Sequence, residues 1–247
     1  MKYGPERFPQ QIKDARKFLN GKMEFDSTHS HGQENSKADE KTMIRLLKDE
    51  YGEENVIKPP KKKNKKGELI ETRTWWDVKL FGYPIQIKSS DFTSADNFNC
   101  KGGILYALSQ LDESKCDYLH RKSWNKWIEA LKNCRELDND RDLYIFTANK
   151  KNGEVFLTSV KSLRKLTPNH NNMPFQVRWK PNIKPVPRTH EEAYDFLTDA
   201  YRDSVKNFIN AHRHSEDLQK KGIFNYLKNK IKLIFVKQPP IGLPNRT

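Results

Sequence analysis

Residues 76–88 read WDVKLFGYPIQIK, and this stretch decides the fold that we predict. Its alternation of apolar and polar residues predicts two short strands, with Gly82-Tyr83-Pro84 as the turn between them. Side chains two positions apart on a strand point to the same face. We therefore expect Asp77, at the end of the first strand, to meet Gln86 and Lys88 on a polar face, while the two isoleucines of the second strand point into an apolar layer.

These residue types suit the hydrolysis of a phosphodiester bond. A divalent ion such as Mg²⁺ prefers oxygen ligands, and the Asp77 carboxylate, the Gln86 amide and the backbone carbonyl of Ile87 all offer oxygen. Lys88 stands beside them and can orient or activate a water molecule. Cleavage needs both an ion that polarises the phosphate and a side chain that orients the attacking water. A solvated polar face is the alternative interpretation of the same residues.

The motif resembles that of the PD-(D/E)xK nucleases, above all the bacterial type II restriction endonucleases. The family pattern is an acid, a variable gap and then acid-x-Lys, and here it stands as Asp77, eight intervening residues and Gln86-Ile87-Lys88. Trp76 replaces the proline of the pattern, and Gln86 replaces the second acid. Some similar members carry glutamine or asparagine there by nature, and a Glu-to-Gln change also disarms such enzymes, so both interpretations stay open.

The resemblance covers about residues 35–108. It implies an α/β fold with a restriction-endonuclease-like core, in which helices flank a mixed central β-sheet. It also implies hydrolysis of double-stranded DNA with Mg²⁺, for which Mn²⁺ can substitute. Asp77 would bind the metal, Gln86 and the Ile87 carbonyl would complete its ligands, and Lys88 would act on the water.

A helix is predicted before the hairpin. Ser36 or Asn35 can cap a run over residues 38–51, which Gly52 closes. In the restriction-enzyme family a glutamate of the first core helix often joins the metal ligands, and we expect Glu40 in that role. As an acid in the first turn, Glu40 equally suits the helix dipole.

Charge favours a nucleic-acid partner. Lysine and arginine outnumber aspartate and glutamate by 46 to 32, giving a formal net charge of +14, and such a surface attracts a polyanion. Residues 58–67, KPPKKKNKKG, predict an exposed basic loop that contacts DNA phosphates or merely aids solubility. Hydroxyl groups directly after Lys88 can bond DNA or simply form a turn. The DNA-binding residues that we expect are Lys61, Lys62, Lys63, Lys65, Lys66, Ser89 and Ser90.

Other features argue against several classes of protein. Cys100, Cys116 and Cys134 form no C-x-x-C pair, so we expect reduced thiols and no zinc site. His29 and His31 are expected in an exposed loop. No apolar run approaches the ~20 residues of a transmembrane helix, and the amino terminus does not resemble a signal peptide. We expect a soluble protein of the bacterial or archaeal cytoplasm with no membrane partner.

The remaining pattern predicts further helices and strands. Thr189 and Glu192 form a capping box for a C-terminal helix with an apolar stripe and a basic face that includes Arg202 and Lys206. Its stripe suits a dimer, and its basic face suits DNA. A glycine pair opens the second helix and could admit a phosphate. Helices are predicted at residues 9–19, 101–108, 123–132 and from 190 onward, and strands at 142–148, 154–160 and 175–179.

Taken together, these patterns predict one nuclease domain over residues 1–247. Its catalytic core spans about 35–165, with an N-terminal arm at 1–34 and C-terminal DNA-binding or dimerisation elements at 166–247. We expect a type II site-specific deoxyribonuclease. Palindromic sites match two-fold symmetric proteins, which favours a homodimer, and a cognate DNA methyltransferase would belong to the same system without being a physical partner. A repair or recombination nuclease and a DNA-binding protein that has lost its catalytic acid are the alternatives.

Overall fold

A computed structural model describes residues 1–25, 32–63, 67–72, 74–98, 100–121, 124–168 and 175–211. The strands are β1 (Lys2–Tyr3), β2 (Val56–Ile57), β3 (Lys61–Lys63), β4 (Leu69–Glu71), β5 (Val78–Leu80), β6 (Tyr83–Ser90), β7 (Asp96–Asn97), β8 (Tyr144–Asn149), β9 (Val155–Ser159), β10 (Thr167–Pro168), β11 (Phe175–Val177) and β12 (Arg188–Thr189). The helices are α1 (Gln10–Leu19), α2 (Gly32–Tyr51), α3 (Lys101–Leu108), α4 (Glu113–His120), α5 (Trp124–Leu131), α6 (Trp179–Asn182) and α7 (His190–Ala211), and a short 3-10 helix spans Pro5–Arg7.

The centre of the fold is a five-stranded sheet with the order β2-β5-β6-β8-β9. Strands β6 and β8 run parallel, with Lys88 opposite Thr147, while the other neighbours pair antiparallel. A tight turn cannot join parallel strands, and the chain crosses from β6 to β8 through α3, α4 and α5. Helices flank both faces of this mixed sheet. The predicted α/β fold class is confirmed, and the arrangement is compatible with a restriction-endonuclease-like core.

Strands β5 and β6 form the predicted hairpin, but its turn lies earlier than expected. Leu80 pairs with Tyr83, so only Phe81 and Gly82 are left in the loop. Both have positive φ, 50° and 81°, as a two-residue type I′ turn requires. The prediction of a turn at Gly82-Tyr83-Pro84 is wrong, because Tyr83 and Pro84 already belong to β6.

Alternation along β6 divides the apolar core into two layers. Ile85 and Ile87 are buried under α1 and α2, in a cluster that also contains Met43. Gln86 and Lys88 lie on the other face of the strand, toward a second cluster built largely from α3, α5 and α7. The predicted division of the hairpin into an apolar face and a polar face is therefore confirmed.

Helix α2 begins earlier than the sequence predicts. It starts at Gly32, so Asn35 and Ser36 lie inside the helix and do not cap it. The cap prediction is wrong because the polar residues before Ala38 include good helix formers and no proline, and they continue the helix. The predicted helix at residues 9–19 is confirmed as α1.

The start of α7 agrees with the sequence in detail. The Thr189 N–H donates to the Glu192 carboxylate at 2.7 Å, and the Glu192 N–H donates to the Thr189 hydroxyl at 3.1 Å. This reciprocal pair is the predicted capping box. Helix α4, by contrast, was not predicted, although Asp112 caps it by accepting a hydrogen bond from the Lys115 N–H at 2.8 Å.

Part of the predicted basic loop is a strand. Residues 61–63 form β3 and pair antiparallel with β4, and we call this pair of strands the basic hairpin. The loop prediction is wrong here because both prolines stand before the strand and leave its backbone free to pair. Lys61 and Lys63 remain exposed. Lys65 and Lys66 lie outside the described residues, as do His29 and His31.

Helix α7 packs against the body of the chain through its apolar stripe. Ala193, Leu197 and Tyr201 are buried in the same cluster as Trp127. This part of the stripe is consequently used inside the chain and is not available to a dimer. In the described part of the protein, no helix is both long and apolar enough to cross a membrane.

The polar side of α7 is not a basic face within the described residues. Arg202 forms a salt bridge with Asp199 at 2.7 Å, and Lys206 forms one with Asp203 at 3.4 Å. The prediction is wrong there because acidic residues alternate with the basic ones at helical spacing. The last predicted strand is also shorter than expected, since β11 ends before Trp179 begins α6.

The glycine pair at the start of α3 is explained by close packing. A methyl group on Gly102 would overlap the ring of Trp75, and one on Gly103 would overlap the side chain of Leu143. Both glycines are buried. The interpretation of this pair as a phosphate site is wrong, because core side chains cover it.

We expect Gly102→Ala to lower the free energy of unfolding by about 1–3 kcal/mol, since an added methyl group overfills the core. Urea denaturation followed by circular dichroism measures the change. Trp75→Leu removes the ring that the methyl group meets, so Gly102→Ala should cost less in that background. An equal cost in both backgrounds would contradict this explanation.

Candidate active site

Main-chain hydrogen bonds hold Asp77 against β6. It lies directly before β5, and its N–H donates to the Ile85 carbonyl at 2.9 Å, which continues the hairpin ladder. Its carboxylate accepts a hydrogen bond from the Ile87 N–H at 2.7 Å. Because Val78 pairs with Ile85, the next step of the register brings Asp77 beside Gln86. The hairpin thus brings Asp77 next to Gln86-Ile87-Lys88.

Gln86 contributes a buried oxygen that the described residues leave unsatisfied. The residue is 6% exposed, and its Oε1 atom has no hydrogen-bond partner in the described part of the chain. A buried oxygen left in this state costs about 1–3 kcal/mol. A cation beside the Asp77 carboxylate would satisfy the Gln86 oxygen. The residues present therefore fit a divalent metal ion.

Burial dominates the electrostatics of Asp77. The pKa of its carboxyl is raised above the ordinary value of 3.8, because loss of solvent outweighs the opposing effects of the Lys88 charge and the Ile87 N–H. A buried carboxylate with few hydrogen bonds gains strongly from a neighbouring cation. The raised pKa distinguishes Asp77 from the exposed acids of the chain.

Lys88 carries a charge that acts on two carboxylates. It is half-buried on the same face of β6 as Gln86, and its positive charge acts on both Asp77 and Asp96, opposing the rise in pKa that burial causes in each. Among the described residues it forms no salt bridge with either acid. The ammonium group can therefore donate to a water molecule or a phosphate.

The charge of Lys88 also acts on Asp96, an acid that the sequence did not single out. It lies in β7, and its carboxylate accepts a hydrogen bond from the indole Nε1 of Trp179 at 2.6 Å. Burial raises its pKa above the ordinary 3.8 despite this bond, a second bond from Ser90 and the Lys88 charge. In the sequence Asp96 is one of several acids in a polar loop, and no spacing marks it.

The helix acid that contacts β6 is Asp39. It is 1% exposed, accepts a hydrogen bond from the Ser89 hydroxyl at 2.6 Å and forms a salt bridge with Lys150 at 2.9 Å. Helix α2 packs on the isoleucine face of β6, opposite Gln86. Glu40 is half-buried on this helix, and its predicted role at the metal stays a prediction.

The two serines after Lys88 are occupied inside the protein. Ser89 bonds Asp39, as described, and Ser90 is 5% exposed and accepts a hydrogen bond from the Phe92 N–H at 3.2 Å. The expectation that they contact DNA is weakened by this arrangement. Lys61 and Lys63 of the basic hairpin, by contrast, are exposed.

Metal ligands in this site would have to come from mixed oxygen donors. Within the described ranges, no three His, Cys, Asp or Glu side chains group closely enough to hold a metal by themselves. Asp77, the Gln86 amide and the Ile87 carbonyl are the donors available on the hairpin, and Mg²⁺ accepts such a set together with water. The three cysteines are buried and unpaired.

The sequence matches no protein-family model and no curated protein. One solved structure, "Restriction endonuclease in complex with substrate DNA", is similar to 57% of this chain at 21% sequence identity and a TM-score of 0.26. The match spans about half of that protein, 51% of its length.

Replacing Asp77 with asparagine should stabilise the fold at neutral pH. The raised pKa means that the folded protein disfavours the charged carboxylate, so ionisation costs stability once the pH exceeds the ordinary pKa of 3.8, and the full cost is present above the raised pKa. The asparagine side chain would still accept a hydrogen bond from the Ile87 N–H. Urea midpoints should therefore be higher for Asp77→Asn at pH 8, with a difference that vanishes below the ordinary pKa of 3.8.

The matched control is Asp14→Asn, which changes an exposed acid on α1. Asp14→Asn should not raise the urea midpoint at pH 8 by a comparable amount. A lower midpoint for Asp77→Asn at pH 8 would mean that the charge of Asp77 stabilises the fold and that the effect of burial has been overstated.

Proposed function

We propose that this protein is a metal-dependent deoxyribonuclease of the type II restriction endonuclease kind, which cuts double-stranded DNA at specific sites. One observation carries the proposal. A half-buried carboxylate, Asp77, lies beside Gln86, whose buried amide oxygen has no partner among the described residues, and Lys88 lies on the same polar face of the hairpin. This is the donor set that metal-assisted phosphodiester hydrolysis needs.

Each residue of the hairpin has a distinct role in this proposal. Asp77, Gln86 and the Ile87 carbonyl would hold Mg²⁺ or Mn²⁺, and a bound ion would polarise the scissile phosphate and lower the pKa of water. The Ile87 N–H fixes the orientation of the Asp77 carboxylate. Lys88 orients the attacking water and stabilises the negative charge that develops on the phosphate. Glu40 would assist from α2.

The basic hairpin would hold the DNA backbone. Lys61 and Lys63 are exposed, and we assign the neighbouring Lys62, Lys65 and Lys66 to the same task. Contacts of this kind position the duplex without reading its sequence. Their contribution depends on salt, since each neutralised phosphate releases counterions.

A homodimer is the assembly that this function favours. Two-fold symmetry lets each subunit cut one strand of a palindromic site. The restriction-modification system would include a cognate DNA methyltransferase that protects the host DNA and does not bind this protein. The bacterial or archaeal cytoplasm is the compartment in which such a system acts.

Gln86 favours a second candidate function. An amide at this position lacks the charge of the family acid, so the chain could be a DNA-binding protein that no longer cuts. The two functions predict opposite results in a cleavage assay. A repair or recombination nuclease of the same fold would cut, but at junctions, ends or lesions.

We expect the wild-type protein to cut a mixed-sequence plasmid into discrete fragments in ~10 mM Mg²⁺ or Mn²⁺. Lys88→Ala should slow cleavage by about 10²-fold or more, because it removes the group that acts on the water. Lys79→Ala is the matched control, since Lys79 lies on the same hairpin but is bound to Glu113. Gel electrophoresis over time measures the rates.

The outcomes separate the candidate functions. Cleavage that survives in Lys79→Ala and is lost in Lys88→Ala supports a nuclease with a natural glutamine. Cutting by Gln86→Glu alone would identify residue 86 as a lost acid. If neither the wild type nor Gln86→Glu cuts with either ion, yet both retard DNA in a gel, the binding function is correct and the nuclease proposal is wrong.

The double variant Lys61→Glu/Lys63→Glu should weaken DNA binding on all sequences equally. Because two phosphate contacts are lost, the slope of log affinity against log salt should become shallower by about 2. Fluorescence anisotropy at several salt concentrations measures both effects. The control Lys126→Glu/Lys132→Glu makes the same charge change on two exposed residues, one in α5 and one directly after it. An equal loss of DNA affinity in this control would contradict the assignment of phosphate contacts to the basic hairpin.

A further inference from the structure

Thr147 buries a hydroxyl group without a partner among the described residues. It lies in β8 and is 1% exposed, and its Oγ1 atom forms no hydrogen bond in that part of the chain. A buried polar group in this state destabilises a fold. Valine has the same shape without the hydroxyl group and suits a strand equally well. The fold alone would therefore favour valine, and the hydroxyl group of Thr147 calls for a partner.

The polar groups beside Thr147 are already bonded elsewhere. Thr158, Asn182 and Trp179 line a narrow gap next to it together with apolar residues, and this gap has no room for a water molecule. The Thr158 hydroxyl lies 3.4 Å from the Ser162 hydroxyl. The Asn182 amide exchanges two hydrogen bonds of 3.0 Å with the main chain, and the Trp179 indole donates to a carboxylate at 2.6 Å. A partner has to come from the other side of Thr147.

Strand pairing places Lys88 on that other side. Lys88 and Thr147 lie opposite each other in the parallel β6–β8 ladder, so their Cα atoms are about 4.8 Å apart and their side chains share one face. Burial agrees with this assignment, because Ile145 belongs to the apolar cluster on the Gln86 side, whereas Phe146 belongs to the opposite cluster. The four-carbon stem of a lysine spans the distance between neighbouring strands. The Thr147 oxygen is within reach of the Lys88 ammonium group.

Lys88 has donors available for such a bond. An ammonium group donates up to three hydrogen bonds and accepts none. Among the described residues, Lys88 forms no salt bridge. A lysine side chain also has many rotamers, and an acceptor fixed in a central strand would restrict them.

We propose that Thr147 is a positioning residue for Lys88, and that its hydroxyl accepts a hydrogen bond from the ammonium group. Rotation of the lysine stem forms this bond without a change in the backbone. Two ammonium donors then remain for the attacking water and the phosphate. The effect of Thr147 on cleavage rests on the proposed nuclease function, whereas its effect on the order of the Lys88 side chain does not.

Thr147→Val tests the proposal in free protein, because it removes the hydroxyl group and keeps the shape. In protein with ¹³C-labelled lysine, the Lys88 signal is the one absent from Lys88→Ala, and its NMR order parameter reports how firmly the side chain is held. The order should fall in Thr147→Val and remain in Thr147→Ser, which keeps the hydroxyl group. Unchanged order in Thr147→Val would overturn the proposal.

Thr158→Val is the matched control. Thr158 is also buried and lies one strand further on the same face, opposite Ile145, but its hydroxyl faces Ser162. The order of Lys88 should be the same in this variant as in the wild type. An equal loss of order in Thr158→Val would mean that any change in this layer loosens the lysine, and it would count against a specific bond to Thr147.

Cleavage provides the second measurement. At saturating DNA, single-turnover cleavage by Thr147→Val should slow by about 10-fold or more, the usual effect of losing an outer partner of a catalytic group, while Thr147→Ser retains most of the rate. In a Lys88→Ala background, Thr147→Val should slow the residual cleavage little further, and a full additional loss would overturn the role of Thr147. A wild type that does not cut contradicts the nuclease proposal, and the order of Lys88 still tests the bond to Thr147.

Discussion

The backbone hydrogen bonds that pair β6 with a neighbouring strand on each edge are the constraint on which the rest of the site depends. Strand β5 pairs with one edge and β8 with the other, so β6 has no freedom to shift its register. A slip of one residue would move Ile85 and Ile87 out of the apolar layer and bury Lys88 in their place. The energy of the core therefore fixes the direction in which Gln86 and Lys88 point, and the site is as rigid as the sheet.

The polar face of β6 is partly shielded from solvent. Helices cover both sides of the sheet, so polar side chains on β6 lie near protein and not in bulk water. Ser90 satisfies its hydroxyl inside the chain, and Asp77 is bound by the Ile87 N–H. The Gln86 oxygen has no such partner in the described residues. On the polar face of β6, this arrangement leaves the Gln86 oxygen as an acceptor for an external ligand.

Much of the fold and part of the candidate site could be predicted from local sequence. Each wrong or missed prediction has a physical cause. Alternation predicted the hairpin and its two faces, and residue spacing predicted the capping box at Thr189. The turn was missed because Phe81 adopts a positive φ, which sequence rules assign to glycine or asparagine. Asp96 was missed because its neighbours are set by pairing with β11, about 80 residues further along the chain.

The amide at position 86 is best understood from the charges around it. A second carboxylate there would be buried beside Asp77, whose own ionisation is already disfavoured, and like charges would raise the cost further. Glutamine keeps the oxygen donor and removes that repulsion. Asp96 lies away from this strand, in β7, where the Trp179 indole donates a hydrogen bond to its carboxylate. A single acid beside the strand is a charge distribution that a site shielded from solvent tolerates more easily than two adjacent acids.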